Sequence, residues 1–231
     1  MLRIRKVIDL KDPRITFFGG GKRKRGIAAD DENIFIIKYF NGKKDGFIVD
    51  VGAADGVSVS NSFKLINDYD WRALLIEPFS GHFGQLKYLY GDNNKIILEN
   101  VAVSNETKRA ILYLKKEIGC NCLREPETKS EDPKDNRLGP DIGKEEILVF
   151  TLNDLFKKYN IKDIDVLTID TEGNDLAVLQ GLNFEEYKPK IIIVEHAPLK
   201  KFHTSQGEFE KVIGLNYRLM KDTGGNYIFA L

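Results

Sequence analysis

The segment DVLTIDTEGNDLAVLQGL (165–182) holds the residues best arranged for chemistry. An apolar run there ends in Asp170-Thr171-Glu172-Gly173, and Asp175 opens a helical pattern. Ligands of open α/β sheets bind beyond the carboxyl ends of strands. Asp170 and Glu172 therefore stand where a reaction would occur. Helix capping is the other use of such carboxylates; it suits Asp175 and suits Asp170 poorly. The next apolar run, KIIIVEH (190–196), ends in Glu195-His196. Imidazole titrates near neutral pH and can take a proton from a hydroxyl. The expectation is that His196 acts as general base, oriented by Asp170 or Glu172. The same groups allow a second chemistry. Asp170, Glu195 and His196, with Glu172 as a further oxygen donor, form a ligand set that magnesium or manganese accepts, and such an ion would acidify a bound hydroxyl.

A second feature lies upstream. The run FIVDV (47–51) enters the turn Gly52-Ala53-Ala54-Asp55-Gly56 and then a helical pattern. The spacing is G-x-x-x-G, whereas a dinucleotide fold shows G-x-G-x-x-G, with its second glycine against a pyrophosphate. Ala54 occupies that place. A ligand without a pyrophosphate, such as S-adenosylmethionine, has no need of the missing glycine. Its amino-acid end would lie along Gly52, Ala53 and Gly56, with Asp50 ordering the loop or the ligand ammonium. Glu77 ends the next apolar run, 25 residues after Gly52, where a carboxylate can accept both ribose hydroxyls. Asn100 and Ala102, in the third run, are candidates to line an adenine pocket.

The elements that must position these residues read as alternating strands and helices. Strand runs are FIVDV (47–51), ALLIE (73–77), KIILENVAV (95–103), AILYL (110–114), ILVFT (147–151), DVLTID (165–170) and KIIIVEH (190–196). They are apolar on both faces, as buried parallel strands are. Helices are expected at 30–40 (with Ile34, Ile37 and Lys38 in helical spacing), 58–67, 79–89, 152–159 and 175–182. YRLMKD and YIFAL (217–222 and 227–231) flank TGGN as a hairpin. The fold expected is α/β: a doubly wound, mostly parallel, Rossmann-like sheet with a C-terminal antiparallel hairpin, the architecture of class I methyltransferases. Residues 1–44 form a basic arm and cap helix, and 45–231 form the main domain with a polar insertion at 118–146.

The runs VDVGAADG, LLIEP, NVAVS, TLNDL, LTIDTEGNDLAVLQGL, IVEH and NYIFAL together resemble the FkbM-type S-adenosylmethionine-dependent methyltransferases. The resemblance covers about 45–196 and the hairpin. It implies methyl transfer to oxygen, usually a hydroxyl of a sugar or natural product. It also implies cofactor residues at Asp50, Gly52, Gly56 and Glu77, and an acceptor pocket at Asp170, Glu172 and His196. Residues 1–44 and 118–146 match no part of the family pattern.

Composition bounds the alternatives. The 231 residues carry 35 Lys+Arg against 35 Asp+Glu, and 42% are hydrophobic, which fits a globular chain and not a whole-chain polycation. The neutral total hides asymmetry: residues 1–25 hold nine Lys/Arg against two Asp/Glu, and 117–146 hold five against nine. These stretches are expected to select the acceptor, a carbohydrate or other small hydroxyl compound. No apolar run approaches the ~20 residues of a membrane span, and no signal peptide is visible, so the expectation is cytoplasmic. Cys120 and Cys122 read as thiols; His82 and His203 read as surface residues, with the border of an adenosine pocket as the alternative for His82 and the acceptor side as the alternative for His203. A nicotinamide oxidoreductase is opposed by Ala54 and the hairpin. A non-catalytic binding module is opposed by the intact acidic edge. A nucleic-acid methyltransferase is opposed by the lack of an aromatic-proline tetrapeptide, despite the basic run Lys22–Arg25.

Overall fold

The computed structural model describes residues 30–58, 60–115, 121–123, 141–196 and 204–231. The basic stretch 1–25, Cys120, His203 and most of the 118–146 insertion lie outside them.

Five parallel strands form the centre of the molecule: β1 (Phe47–Val51), β2 (Arg72–Ile76), β3 (Ile96–Glu99), β7 (Val166–Ile169) and β8 (Ile191–Glu195). β9 (Arg218–Asp222) and β10 (Asn226–Ala230) complete a seven-stranded sheet of order β3-β2-β1-β7-β8-β10-β9, with β10 antiparallel to both β8 and β9. The order reverses direction between β1 and β7, which places a crevice at their carboxyl ends. The register Asp50↔Thr168 and Ile169↔Val194 carries Asp50, Thr168, Asp170 and Glu195 onto one face.

Each face buries its own core. Helices α4 (Leu152–Lys158), α5 (Asp175–Gln180) and α6 (Gln206–Ile213) bring Phe156, Leu179 and Phe209 against Val49, Leu167 and Val194. On the other face α1 (Asp30–Tyr39), α2 (Phe63–Tyr69) and α3 (Ser80–Tyr90) bring Ile36, Leu65 and Leu86 against Ile48, Leu75 and Ile193. Full burial of one such side chain stabilises by about 1.5–3 kcal/mol. At the opposite end from the crevice, buried Asp165 accepts from Lys43 Nζ, Lys190 Nζ and the Phe47 N–H, at 2.7–3.0 Å. That cluster pins β1, β7 and the entry to β8 together.

Several elements differ from expectation. The run 95–103 is not one strand. β3 pairs with β2, whereas β4 (Ala102–Val103) pairs with β6 (Asp141–Phe150) in a second, three-stranded sheet of order β4-β6-β5. The break is Asn100, whose amide donates to the carbonyls of Glu77 and Pro78, both at 2.9 Å. β5 (Lys108–Lys115) and β6 form an antiparallel ladder and not members of the main sheet. Ile147 and Val149 point inward while Leu148 is exposed, so the run has one buried face. α2 begins at Phe63 because the chain before it is held in turns. Asp55 accepts from the Val57 and Ser58 N–H groups, and Ser60 Oγ accepts from those of Ser62 and Phe63. In α1 the inward residues are Glu32, Asn33 and Ile36, and Ile34 is exposed. The hairpin decides that face, since Glu32 accepts from Thr223 Oγ1 and Asn226 Nδ2. Helix α6, unassigned from sequence, carries the signal Ser205-x-x-Glu208, with Glu208 Oε2 accepting the Ser205 N–H at 2.8 Å.

Candidate active site

A cavity of about 330 Å³ lies over the carboxyl ends of β1, β2 and β7. Its floor is the turn after β1. Gly52 has φ +88°, and a Cβ there would stand 1.8 Å from the Asp170 carbonyl oxygen. Only glycine lets β1 pass that close to β7. Gly56, at φ +74°, sits against Leu86, and its carbonyl accepts from Tyr90 Oη at 2.9 Å. Ala53 and Ala54 line the cavity between these fixed points.

Glu77 also lines it. Its Oε2 accepts from the Ala54 N–H and its Oε1 from the Phe79 N–H, both at 2.9 Å. The carboxylate thus ties β2 to the glycine turn, and it keeps lone pairs for further donors. Asp50 is buried, and its Oδ2 accepts from Ser62 Oγ at 2.5 Å. Burial pushes Asp50 up to about 6, against the Ser62 hydrogen bond and with Glu77 adding to the rise.

The acidic wall follows β7. Asp170, Thr171 and Glu172 line the cavity. Asp170 is open to it but enclosed by protein, and that enclosure raises the carboxyl to about 6; a hydrogen bond with Glu195 opposes the rise, and Asp50 and Glu77 add to it. Glu172 rises to about 8, through burial first and then Asp170 and Asp175. Asp175 rises to about 7 by burial, although it accepts the N–H groups of Thr171 and Gly173 at 3.0 and 3.1 Å. Asn174, not Asp175, occupies the cap position of α5. Glu195 rises to about 11 through burial and the neighbouring carboxylates Asp170, Glu172 and Asp175. Burial and these neighbours favour the protonated form of Glu195 beside Asp170.

His196 is placed elsewhere. Alternation along β8 sends Glu195 to the face of Asp170 and turns His196 to the opposite one. The imidazole stacks on Tyr227 with ring centroids 3.8 Å apart, and Nε2 pairs with Asp222 Oδ1 at 3.1 Å. It is buried and does not line the cavity. The structure therefore does not bring His196 to Asp170 and Glu172 as a base. The same alternation separates the expected metal ligands Asp170 and Glu195 from His196. Among the described residues, no group of three His, Cys, Asp or Glu side chains is arranged to hold a metal ion.

Two further placements correct the sequence reading. Asn100 ties the end of β2 and does not line the cavity, whereas Ala102 does. His82, read as a surface residue with the pocket border as the alternative, takes the alternative: it is buried in the cavity wall, with Nδ1 3.7 Å from Glu77 Oε1 and its ring edge-on to Phe79. Sequence reasoning also missed Asn61, Thr168 and Leu112 as lining residues. Asn61 Nδ2 donates to Thr168 Oγ1 at 3.0 Å across the β1–β7 crevice. No short motif announces Asn61 and Leu112, because the turns before α2 and the second sheet bring them in; Thr168 of β7 shares the face of Asp50 and Asp170.

The lining suits a cationic, donor-bearing ligand with an apolar end. Asp50, Glu77 and Asp170 offer acceptors to ammonium and ribose hydroxyl groups, and Ala102 and Leu112 offer an apolar wall for a base. S-adenosylmethionine has that chemistry.

The sequence model of the family described as the methyltransferase FkbM domain matches residues 50–219. Among solved structures, the chain is similar to the FkbM methyltransferase from Methylobacillus flagellatus, at 18% identity and a TM-score of 0.50, over 81% of this chain and 44% of that one. The present chain thus spans less than half the length of that relative. A precorrin-6y C5,15-methyltransferase from Geobacter metallireducens has a TM-score of 0.43 at 14% identity, over 86% of each chain. No curated protein matches the chain. Among the described residues, no helix is long and apolar enough to cross a membrane.

Proposed function

Because the chain belongs to the FkbM methyltransferase family, we propose that it methylates a hydroxyl oxygen of a sugar, a glycan or a glycosylated small molecule. One observation carries the reading. Asp170 and Glu172, with titration raised to about 6 and about 8, open onto the same cavity as the Gly52 turn. A sugar hydroxyl is a poor nucleophile until it loses its proton, so transfer to oxygen needs a base poised near neutral pH. Transfer to an unprotonated amine would not.

S-adenosylmethionine, when bound, supplies an activated methyl group on a sulfonium. The chain's own residues do the rest. Glu77 would accept the ribose hydroxyls, and Asp50 with Asp170 would face the ammonium end. The acceptor oxygen must be held in line at ~3 Å, which can lower the barrier by several kcal/mol. Glu172 then takes the hydroxyl proton onto a carboxylate oxygen. His196 is not assigned that step, since its Nε2 is paired with Asp222. Residues 1–25, with their surplus of cations, are proposed to help select the acceptor.

The test is label transfer from methyl-tritiated S-adenosylmethionine to a panel of mono- and oligosaccharides, with amines as controls. Label in an alkali-stable ether on a sugar supports the reading. Label on nitrogen alone, or no calorimetric binding of S-adenosylmethionine, overturns it.

A further inference from the structure

Glu172 has φ +56°, a left-handed conformation that a residue with a side chain rarely adopts. It is held there from both sides. Asp175 Oδ1 accepts the Thr171 N–H at 3.0 Å and Oδ2 accepts the Gly173 N–H at 3.1 Å. Asp175 is itself 3% exposed, so its carboxylate is fixed by packing. Gly173 continues the left-handed path at φ +96°. The result is a closed clamp of one side chain on the two amides that flank Glu172. A strained backbone persists only where surrounding structure over-determines it, and such strain gathers at functional sites. Glu172 lines the cavity, so the strain has an address.

We infer that Asp175 is a positioning residue: its two backbone hydrogen bonds hold Glu172 in the left-handed conformation that presents the Glu172 carboxylate to the cavity. The inference rests on reading Glu172 as the proton acceptor. It assigns Asp175 a role beyond starting α5. It also explains why both amides are spent on a side chain one turn ahead and not left to solvent.

The experiment uses the full chain and S-adenosylhomocysteine as the probe. Backbone amide exchange and the Glu172 ¹³Cδ resonance are followed in the wild type, Asp175→Asn and Asp175→Ala. In Asp175→Ala the Thr171 and Gly173 amides are expected to exchange about tenfold faster or more. The ¹³Cδ shift that S-adenosylhomocysteine induces at Glu172 is expected to vanish, while its Kd stays within about threefold of wild type. Asp175→Asn keeps one acceptor and should retain part of both signals. Exchange at wild-type rates in Asp175→Ala, or an unchanged ¹³Cδ response, overturns the inference. Should Asp175→Ala fail to fold, a second comparison decides. With the clamp intact, Glu172→Gly should melt above Glu172→Ala, the reverse of their usual order; the usual order overturns the claim of strain. An inactive wild type that still shows these exchange and melting differences would count against the base reading alone.

Discussion

At the scale of single residues, the site holds three carboxyls, Asp50, Asp170 and Glu172, whose enclosure favours their protonated forms. On the proposed reading Glu172→Gln preserves shape and removes the proton acceptor, so transfer to a hydroxyl should fall by about 10²-fold or more, measured as kcat with S-adenosylmethionine binding unchanged. The pH profile has a defined sign. On the proposed reading Asp170 and Glu172 act only when deprotonated, so kcat should rise through the range about 6 to about 8 set by the two groups. Stability runs the other way. Asp170, Glu172 and Asp175 have raised values in the folded state, so between the unfolded values near 4 and the folded ones the native state binds more protons. Their contribution to stability is therefore full below about pH 4 and is lost as the pH rises to about 8, so the melting temperature should fall between about pH 5 and about pH 9, and Glu172→Gln should flatten that fall. A flat profile in the wild type would contradict the assigned burial. Asp170 and Glu172 were legible in the sequence because they follow directly from an apolar strand. The exclusion of His196 was not, because the face of a strand-tip residue depends on which neighbours the last peptide meets, here Tyr227 and Asp222.

At the scale of elements, the glycine turn and the ends of β1 and β7 form one unit. Gly52→Ala would drive a Cβ to 1.8 Å from the Asp170 carbonyl at a positive φ. We expect a loss of ~3 kcal/mol or more, beyond an ordinary surface change, read by denaturant unfolding. Cofactor binding should fall with it, since Asp170 must move. Asp55→Ala removes an acceptor for two backbone N–H groups and the Ser58 hydroxyl, and should cost about 1–2 kcal/mol by the same measurement. β1, β2, β7 and β8 were readable because both their faces are apolar. β5 and β6 were misplaced because a strand apolar by composition gives no statement of which sheet it joins. Asn100 shows the same limit: two hydrogen bonds to Glu77 and Pro78 divide a run that composition presents as continuous.

At the scale of the whole molecule, two packed faces and a crevice at the β1–β7 reversal make the family membership a physical statement as well as a matching one. A ligand that binds only the folded chain raises its stability by mass action, about 2.7 kcal/mol at a hundredfold excess over Kd. S-adenosylhomocysteine should raise the melting temperature accordingly, and NADH at the same concentration should not; the reverse order would point to the nicotinamide reading. The zero net charge concealed a site lined by Asp50, Glu77, Asp170 and Glu172, so whole-chain balance says little about local partners. The sequence by itself determined the alternation of buried strands and helices, the glycine turn and the carboxylates beyond β7, because those features are local: period, turn chemistry and strand ends are written within about ten residues. Only the tertiary structure decided the second sheet, the buried face of α1, the turning of His196 away from the cavity and the clamp on Glu172. The first three depend on contacts between segments far apart in the chain, and no local pattern encodes which partner a side chain will meet; the clamp is local in sequence, but only the folded backbone shows which amides Asp175 accepts.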